Sequence, residues 1–266
     1  GLPTADLVWS SAMDMQVKLI NDGLAQAYAS PEKPNLPQWA MWKNEGWGLT
    51  AEPIVFAYNR ARLAPADVPR SHEQFETLLR ERAEVFRGRV ITYDPQASGV
   101  GFLYLSQDAR LSRDTWKLVR ALGSAQPRFN SSTSVMIDEL ISGRSLIAYN
   151  AVGSYVLQRI KREPQIGVIF PSDYTLLTSR IAFIHRSARH PNSARLLLDH
   201  LLSRRGQQLL ARESLGAVRL DLPPPALGPR PAQVQAVRVG PDLLANLDQI
   251  RRARVLREWR RSLERS

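Results

Sequence analysis

Short apolar runs alternate with segments of helical periodicity along most of the chain. Near-continuous apolar runs are typical of strands buried on both faces of a sheet, and intervening helices indicate crossovers between parallel strands. The pattern therefore predicts an α/β protein with mainly parallel sheets and flanking helices. The runs that predict strands are residues 7–9, 53–59, 90–93, 146–149, 166–171 and 178–184.

Helices are predicted where apolar spacing of three and four residues coincides with start and stop signals. Ser71-His72-Glu73-Gln74 has the chemistry of a helix cap, and Ser142-Gly143-Arg144 has that of a helix end. The proline-rich residues 222–231 predict a linker or surface strap. Helices are predicted over residues 11–21, 102–105, 113–122, 191–201 and 206–210. Two further helices are predicted to begin at residue 71 and after residues 131–134.

The C-terminal residues 243–263 combine a run of arginines with apolar residues at helical spacing, Trp259 among them. This pattern predicts an amphipathic helix that packs on the body of the protein. A nucleic-acid or membrane surface would use the same arginines, but the apolar face favours packing.

Polar turns follow three of the predicted strands at the point where a helix begins. Ser10-Ser11 follows the first strand, Ser98-Gly99 lies in the turn after residues 90–93, and Asn150 to Ser154 follows Tyr149. A helix N-terminus leaves backbone N–H groups free for an anion, and α/β sheets bind ligands beyond the carboxyl ends of their strands. We therefore expect an anion-binding cradle rather than a catalytic centre. The expected ligand-binding residues are Ser10, Ser11, Ser98, Gly99, Ser131, Ser132, Tyr149, Asn150 and Ser154.

Each of these residues also has a structural interpretation. Serines at such positions commonly cap helices through their hydroxyl groups. Asn150 and Ser154 would fix the turn, and Tyr149 would be a core tyrosine with its hydroxyl satisfied. Three tryptophans of the loop 31–47 would either stack on a ligand or cover the edge of a core.

The composition narrows the function further. The formal net charge is +11, yet the basic residues are scattered, so a solvated surface is favoured over nucleic-acid binding. The chain has no cysteine, which excludes thiol nucleophiles, thiolate metal sites and disulfides. Motifs of serine hydrolases, zinc proteases and phosphate loops do not occur, so we expect no enzyme, no cofactor and no resident metal.

Four segments carry a family resemblance. The most specific runs from His190-Pro191-Asn192-Ser193-Ala194 to Leu202-Ser203-Arg204-Arg205-Gly206-Gln207 and follows a predicted strand. The others are Ala5 to Ser11, Tyr93 to Gly99, and Ile141-Ser142-Gly143 leading to Tyr149-Asn150. Together they resemble the periplasmic solute-binding proteins of ABC transporters, in the group named after ferric-iron binding.

The resemblance implies the type II periplasmic binding fold, in which two α/β lobes are joined by crossing strands and close on a ligand. Lobe 1 would comprise residues 1–57 and 180–232, and lobe 2 residues 58–179 and 233–266. The first strands of lobe 1 are expected to be missing. The resemblance also implies a periplasmic monomer whose partners are a small ligand and an ABC transporter permease in the inner membrane.

The resemblance implies the fold and the partners, but it does not by itself identify the ligand. Iron-binding members use an adjacent tyrosine pair, and the corresponding residues here are Val152 and Gly153, which cannot ligate iron. Hydroxyls, an amide and free N–H groups instead suit phosphate, phosphonate or carboxylate oxygens. Two alternatives stay open: a ferric-iron-binding protein of an iron importer, and a ligand-sensing periplasmic partner of a membrane receptor kinase.

Overall fold

A computed structural model describes residues 5–264. The strands are β1 Leu7–Ser10, β2 Met41–Trp42, β3 Gly46–Gly48, β4 Glu52–Asn59, β5 Val90–Tyr93, β6 Arg128–Asn130, β7 Ile147–Val152, β8 Ile166–Ile169, β9 Thr175–Thr178, β10 Ile181–Ile184 and β11 Val234–Ala236. The helices are α1 Met13–Asn21, α2 His72–Glu81, α3 Ala83–Phe86, α4 Gly99–Leu111, α5 Thr115–Ser124, α6 Thr133–Ser142, α7 Gly153–Ile160, α8 Pro191–Leu202, α9 Arg204–Arg212 and α10 Gln249–Glu264.

The chain forms two compact units. The first consists of the described residues up to Glu52 together with Leu177–Leu227 and Ala236–Asp248. The second consists of Pro53–Leu176, Gly228–Gln235 and the described residues from Gln249 onward. The predicted lobe limits at residues 57 and 179 stay a prediction.

The first unit contains a four-stranded sheet in the order β1-β10-β3-β2. Its core includes Trp47 and Leu49, which pack with Leu198 and Leu202 of α8. Trp47 is fully buried, so this tryptophan covers a core and does not stack on a ligand.

The second unit is built on the larger sheet, in which the order is β11-β9-β4-β7-β5-β6 and β8 also pairs with β4. β5 pairs in parallel with both β6 and β7, whereas β4 is antiparallel to β7 and β8. In the first unit β10 is antiparallel to β1 and β3. The α/β class is therefore confirmed, but the expectation of mainly parallel sheets was wrong. An apolar run of four residues does not indicate whether its strand pairs in parallel or antiparallel. A helix between two such runs does not require the two strands to be adjacent in the sheet.

The core of the second unit contains three fully buried phenylalanines, Phe56, Phe75 and Phe86, packed among aliphatic side chains. The predicted C-terminal helix is confirmed as α10, which packs on α5. Gly123 of α5 permits this packing, because a Cβ atom there would lie 2.3 Å from the carbonyl oxygen of Leu263. Trp259 of α10 is 4% exposed and lies edge to face with Phe129, with ring centroids 6.1 Å apart.

Most predicted elements are confirmed, with shifts at their ends. The helix predicted at 102–105 extends over Gly99–Leu111, and the strand predicted at 178–184 is divided between β9 and β10. Ser203 separates α8 from α9 and caps α9 by accepting a hydrogen bond from the Gly206 N–H at 3.1 Å. Within residues 5–264, no helix has the length and apolar character needed to cross a membrane.

Candidate functional site

Three strand-to-helix junctions of the second unit meet at one edge of the larger sheet. α4 follows β5, α6 follows β6, and α7 follows β7. Because β5 is parallel to both neighbours, the carboxyl ends of all three strands lie at the same edge. The helix N-termini that start from those ends therefore converge, and each leaves backbone N–H groups without an intrahelical partner.

Thr133, the first residue of α6, connects the three junctions. Its hydroxyl shares a hydrogen bond with the Tyr93 hydroxyl at the end of β5. The same oxygen accepts a hydrogen bond from the Val152 N–H at the end of β7, at 3.3 Å. Burial raises the pKa of Tyr93 to about 12, so this hydroxyl stays neutral at physiological pH. One buried side chain thus holds the beginnings of α6 and α7 against the end of β5.

The serine after β5 caps its helix. Ser98 is the N-cap of α4 and accepts a hydrogen bond from the Gly101 N–H at 3.2 Å. Gly101 lets the helix begin close to β5, because a Cβ atom there would lie 2.6 Å from the Tyr93 Cβ. Gly99, between the two, is exposed and has open space around it. The structural interpretation of Ser98 is therefore confirmed, and a role for Ser98 and Gly99 in ligand binding stays a prediction.

The serines after β6 differ from Ser98. Ser131 is exposed, and Ser132 occupies the N-cap position of α6 without a capping hydrogen bond from its side chain. The Asn130 side chain instead accepts a hydrogen bond from the Ser132 N–H at 3.0 Å. The expected capping by the Ser132 hydroxyl was wrong, because Asn130 orders this turn.

The junction after β7 also differs from the prediction. β7 continues through Asn150 to Val152, and α7 begins at once with Gly153, so residues 150–154 do not form a polar turn. Ser154 is buried in the first turn of α7. Gly153 is required at the junction, because a Cβ atom there would lie 2.6 Å from the Pro53 carbonyl oxygen. The strand was predicted too short because Asn150 was taken for a turn residue.

A β-bulge explains the unusual conformation of Asn150. Val55 pairs with Ala151 and Ala57 pairs with Ala148, so Tyr149 and Asn150 together oppose Phe56. The extra residue re-aims the side chains of a bulged strand. Asn150 has φ = 59°, a left-handed conformation that asparagine tolerates better than most residues.

Tyr149 and Asn150 both reach a buried carboxyl group on α4. Asp108 Oδ2 accepts hydrogen bonds from the Tyr149 hydroxyl and from Asn150 Nδ2, each at 2.8 Å. Asp108 Oδ1 accepts one from the Tyr174 hydroxyl at 2.9 Å. Burial raises the pKa of Asp108, while His72 and the three donors act in the opposite direction. Burial likewise raises the pKa of Tyr149 well above its ordinary value, and Asp108 adds to this shift.

Sequence reasoning missed Asp108. It lies in a helix that is otherwise mostly apolar, and a single acid there carries no motif. The available signal was its spacing from Gly101 and Leu105, which places these residues along one helical stripe.

A small surface recess adjoins these junctions and is named here the sheet-edge recess. Its enclosed space is about 10 Å³, which is room for about one water molecule. Tyr149 and Asn150 are expected site residues that line it, whereas Thr92 and Trp259 were not anticipated. The lining residues are Thr92, Tyr93, Pro95, Gly101, Leu105, Tyr149, Asn150 and Trp259.

Ser10 and Ser11 belong to the first unit. Ser10 Oγ accepts a hydrogen bond from the Ala12 N–H at 3.2 Å, and Ser11 is exposed. The N-cap of α1 is Ala12, without a capping side chain, so neither serine occupies the predicted cap position. Their part in ligand binding stays a prediction. Within residues 5–264, no cluster of three or more His, Cys, Asp or Glu side chains has the geometry of a metal site.

Comparison with known proteins supplies the context for this geometry. The model of the family described as bacterial extracellular solute-binding protein matches residues 3–243. A structure of the substrate-binding protein of an ABC transporter from Agrobacterium tumefaciens is 35% identical, with a TM-score of 0.89 over 98% of this chain and 78% of that chain. No curated protein matches the chain.

Two more distant structures share the fold. Iron-bound HitA from Pseudomonas aeruginosa is 20% identical, with a TM-score of 0.73 over 98% of this chain and 83% of that chain. AfuA from Actinobacillus pleuropneumoniae, with exogenous fructose-6-phosphate bound, is 18% identical, with a TM-score of 0.68 over 99% and 84%. These matches confirm the periplasmic-binding-protein type II fold that the resemblance implied.

Proposed function

The chain belongs to the family of bacterial extracellular solute-binding proteins, which serve ABC transporters, and we propose that it captures a small anion for import. The proposed ligand carries a phosphate, phosphonate or carboxylate group. The proposed place of action is the periplasm, and the proposed partner is an ABC transporter permease in the inner membrane. The proposal assigns transport to the chain and no catalysis.

The convergence of α4, α6 and α7 at one sheet edge supports this proposal most strongly. Each helix N-terminus carries the equivalent of about half a positive charge and presents N–H donors. Three N-termini at one sheet edge would therefore hold an anion with few charged side chains. In this proposal Ser98, Gly99, Ser131, Ser132, Asn150 and Ser154 surround the anionic group, and Tyr149 orders Asp108 behind Asn150.

Iron is the weaker candidate for this site. HitA is iron-bound and AfuA was solved with fructose-6-phosphate, so this fold accommodates both kinds of ligand. Here a tyrosine at position 153 would collide with Pro53, and the hydrocarbon side chain of Val152 has no atom that can ligate iron. The Tyr149 hydroxyl donates to Asp108 and is not free to ligate a metal.

We further propose that the two lobes close on the ligand. Ser10 and Ser11 of the first unit would contact the ligand in the closed form. Ligand contacts made only in the closed form would shift the equilibrium toward that form, which a permease or a receptor then recognises. Co-purification of the ligand-loaded chain with permease subunits from membranes would support transport. Co-purification with a receptor kinase instead would support the sensing alternative.

A thermal-shift screen of the full chain tests the ligand class. Inorganic phosphate, methylphosphonate, glycerol 3-phosphate and succinate form the anion series, and matched neutral polyols serve as controls. A ligand at a hundred times its Kd stabilises the folded state by about 2.7 kcal/mol, which raises Tm by several degrees. A flat response to every anion would overturn the proposal. A visible absorption band on adding Fe(III), as a phenolate–iron complex produces, would favour the iron alternative.

A further inference from the structure

The C-terminal helix α10 packs on the second unit with one face and carries arginines on the other. Its inner face contributes Trp259 to a cluster with Leu105 and Val119, and Leu263 packs against the same cluster. Six arginines occur among the 16 residues of the helix, against two glutamates. Packing uses the apolar side of the helix, so most of the arginines remain on the solvent side.

Four exposed residues follow one another along the outer face of α10 at spacings of four, three and four residues. Such spacings place side chains on the same side of a helix. The set, named here the basic stripe, consists of Ile250, Arg254, Arg257 and Arg261. It extends over about 17 Å of the helix. Arg251 and Arg260 lie beside the stripe and are exposed as well.

Acidic side chains compensate little of the charge on this face. Among residues 5–264, none pairs with Arg254, Arg257 or Arg260 or accepts a hydrogen bond from their guanidinium groups. Glu258 lies 3.8 Å from Arg261, which is a long and exposed ion pair. The outer face of α10 therefore keeps a net positive charge in contact with solvent.

The contacts of the inner face determine the direction in which the stripe points. Trp259 is buried against Phe129, and the Arg252 guanidinium lies over the Phe102 ring, 4.2 Å from its centroid. Gly123 permits the close approach of α5 near the end of α10. The helix is thus held along its length, and binding through the stripe requires no folding of a segment.

An anionic lipid surface fits the stripe better than other polyanions. Ile250 is 80% exposed beside the arginines, and a bilayer interface offers phosphate groups and the start of the hydrocarbon at the same place. The chain belongs to an extracellular family that serves ABC transporters, so a membrane is the extended anionic surface that it approaches. We infer that the basic stripe docks the protein on anionic lipid headgroups. This inference goes beyond the proposed function, because it uses the outer face of α10 and no part of the ligand site.

Co-sedimentation of the full chain with lipid vesicles tests this inference. Vesicles of equal parts phosphatidylglycerol and phosphatidylcholine provide the anionic surface, and vesicles of phosphatidylcholine alone serve as the control. We expect binding to the anionic vesicles only, weakening as the ionic strength rises. Each arginine near such a surface strengthens binding about fivefold, so Arg254→Gln/Arg257→Gln/Arg261→Gln should weaken it about a hundredfold.

Arg87→Gln/Arg189→Gln/Arg205→Gln is the matched control. It removes the same charge from three exposed arginines that lie outside α10. Because distant charges are screened by salt, this variant should bind the anionic vesicles within about threefold of the unaltered chain. All six positions are exposed, and circular dichroism checks that both variants fold.

Three outcomes would overturn the inference. The first is failure of the unaltered chain to bind the anionic vesicles. The second is an equal loss in the two triple variants, since net charge and not the stripe would then determine binding. The third is a stripe variant that binds vesicles normally but no longer co-purifies with permease subunits, since the partner of the stripe would then be an acidic protein surface.

These outcomes are separate from those of the proposed function. Vesicle binding is measured without solute, and adding glycerol 3-phosphate should leave it unchanged. A flat thermal-shift response to every anion would overturn the proposed function and leave this inference standing.

Discussion

The strand-to-helix junctions of the two units differ in how their helix N-termini are placed. In the second unit β5, β6 and β7 run in parallel, and a single hydroxyl on Thr133 contacts the ends of two of them. In the first unit β1 is antiparallel to β10, and the start of α1 has local hydrogen bonds, such as the one that Ser10 Oγ accepts from the Ala12 N–H. Parallel pairing, rather than the number of serines, is therefore what gathers helix N-termini at one sheet edge.

Removing the connecting hydroxyl should produce the largest difference between the two regions. Thr133→Val leaves the Tyr93 hydroxyl and the Val152 N–H without their partner, and each unsatisfied buried group costs about 1–3 kcal/mol. We expect the free energy of unfolding to fall by about 2–4 kcal/mol, as measured by urea denaturation. Anion affinity should fall as well, because α6 and α7 lose their common anchor.

Ser10→Ala is the matched change in the first unit. It removes one partly exposed local hydrogen bond, so the free energy of unfolding should fall by less than about 1 kcal/mol. Equal losses in Thr133→Val and Ser10→Ala would mean that the convergent junctions are no more tightly connected than the single one.

A smaller loss of stability is expected when a side chain is added at Gly153, where the start of α7 lies close to Pro53. Gly153→Ala places a methyl group 2.6 Å from the Pro53 carbonyl oxygen, so β4 and β7 must separate locally. Overpacking of this kind costs about 1–3 kcal/mol. Gly99→Ala at the start of α4 meets open space and should be neutral or slightly stabilising. Thermal unfolding of both variants tests the pair, and a tolerated Gly153→Ala would contradict the close approach.

Two N-cap serines of the second unit, Ser98 and Ser132, should separate stability from binding. Ser98→Ala removes a capping bond and should cost about 1 kcal/mol of unfolding free energy. Ser132→Ala should change that free energy by less than about 0.5 kcal/mol, because its side chain makes no capping bond. If the Ser132 hydroxyl serves the ligand, this variant should instead weaken anion binding by calorimetry. A stability loss in Ser132→Ala equal to that in Ser98→Ala would contradict the difference between the caps.

The smallest expected effect concerns the ion pair that joins β6 to α6. The Arg128 guanidinium lowers the pKa of Glu139 from its ordinary 4.5, assisted by a hydrogen bond from Ser145. A lowered folded-state pKa stabilises the protein above the unfolded pKa, and this stabilisation is lost as the pH falls through the folded value. Since Arg128 is about half exposed, we expect less than about 1 kcal/mol. Urea denaturation between pH 7 and pH 3 should show a shallower decline in Glu139→Gln, and identical declines would contradict the coupling.

The sequence predicted local features better than long-range ones. The helix starting after Ser71 and the end at Gly143 were correct because capping serine and left-handed glycine have local causes. Strand direction was mispredicted, since pairing partners depend on the whole chain. Asn150 was predicted to lie in a turn, but it lies within β7, because a β-bulge accommodates its left-handed backbone conformation inside the strand. Asp108 and Trp259 were missed as site residues, because their positions depend on contacts between distant segments.

Backbone amide chemical shifts test the central claim most directly. The uniformly ¹⁵N-labelled full chain would be titrated with glycerol 3-phosphate and with inorganic phosphate while the amide signals are recorded. We expect concerted, saturable shifts at the starts of α4, α6 and α7, at Gly99, Ser134 and Gly153 among others. Saturable binding with the shifts confined to other regions, or no shifts with any anion of the series, would contradict it.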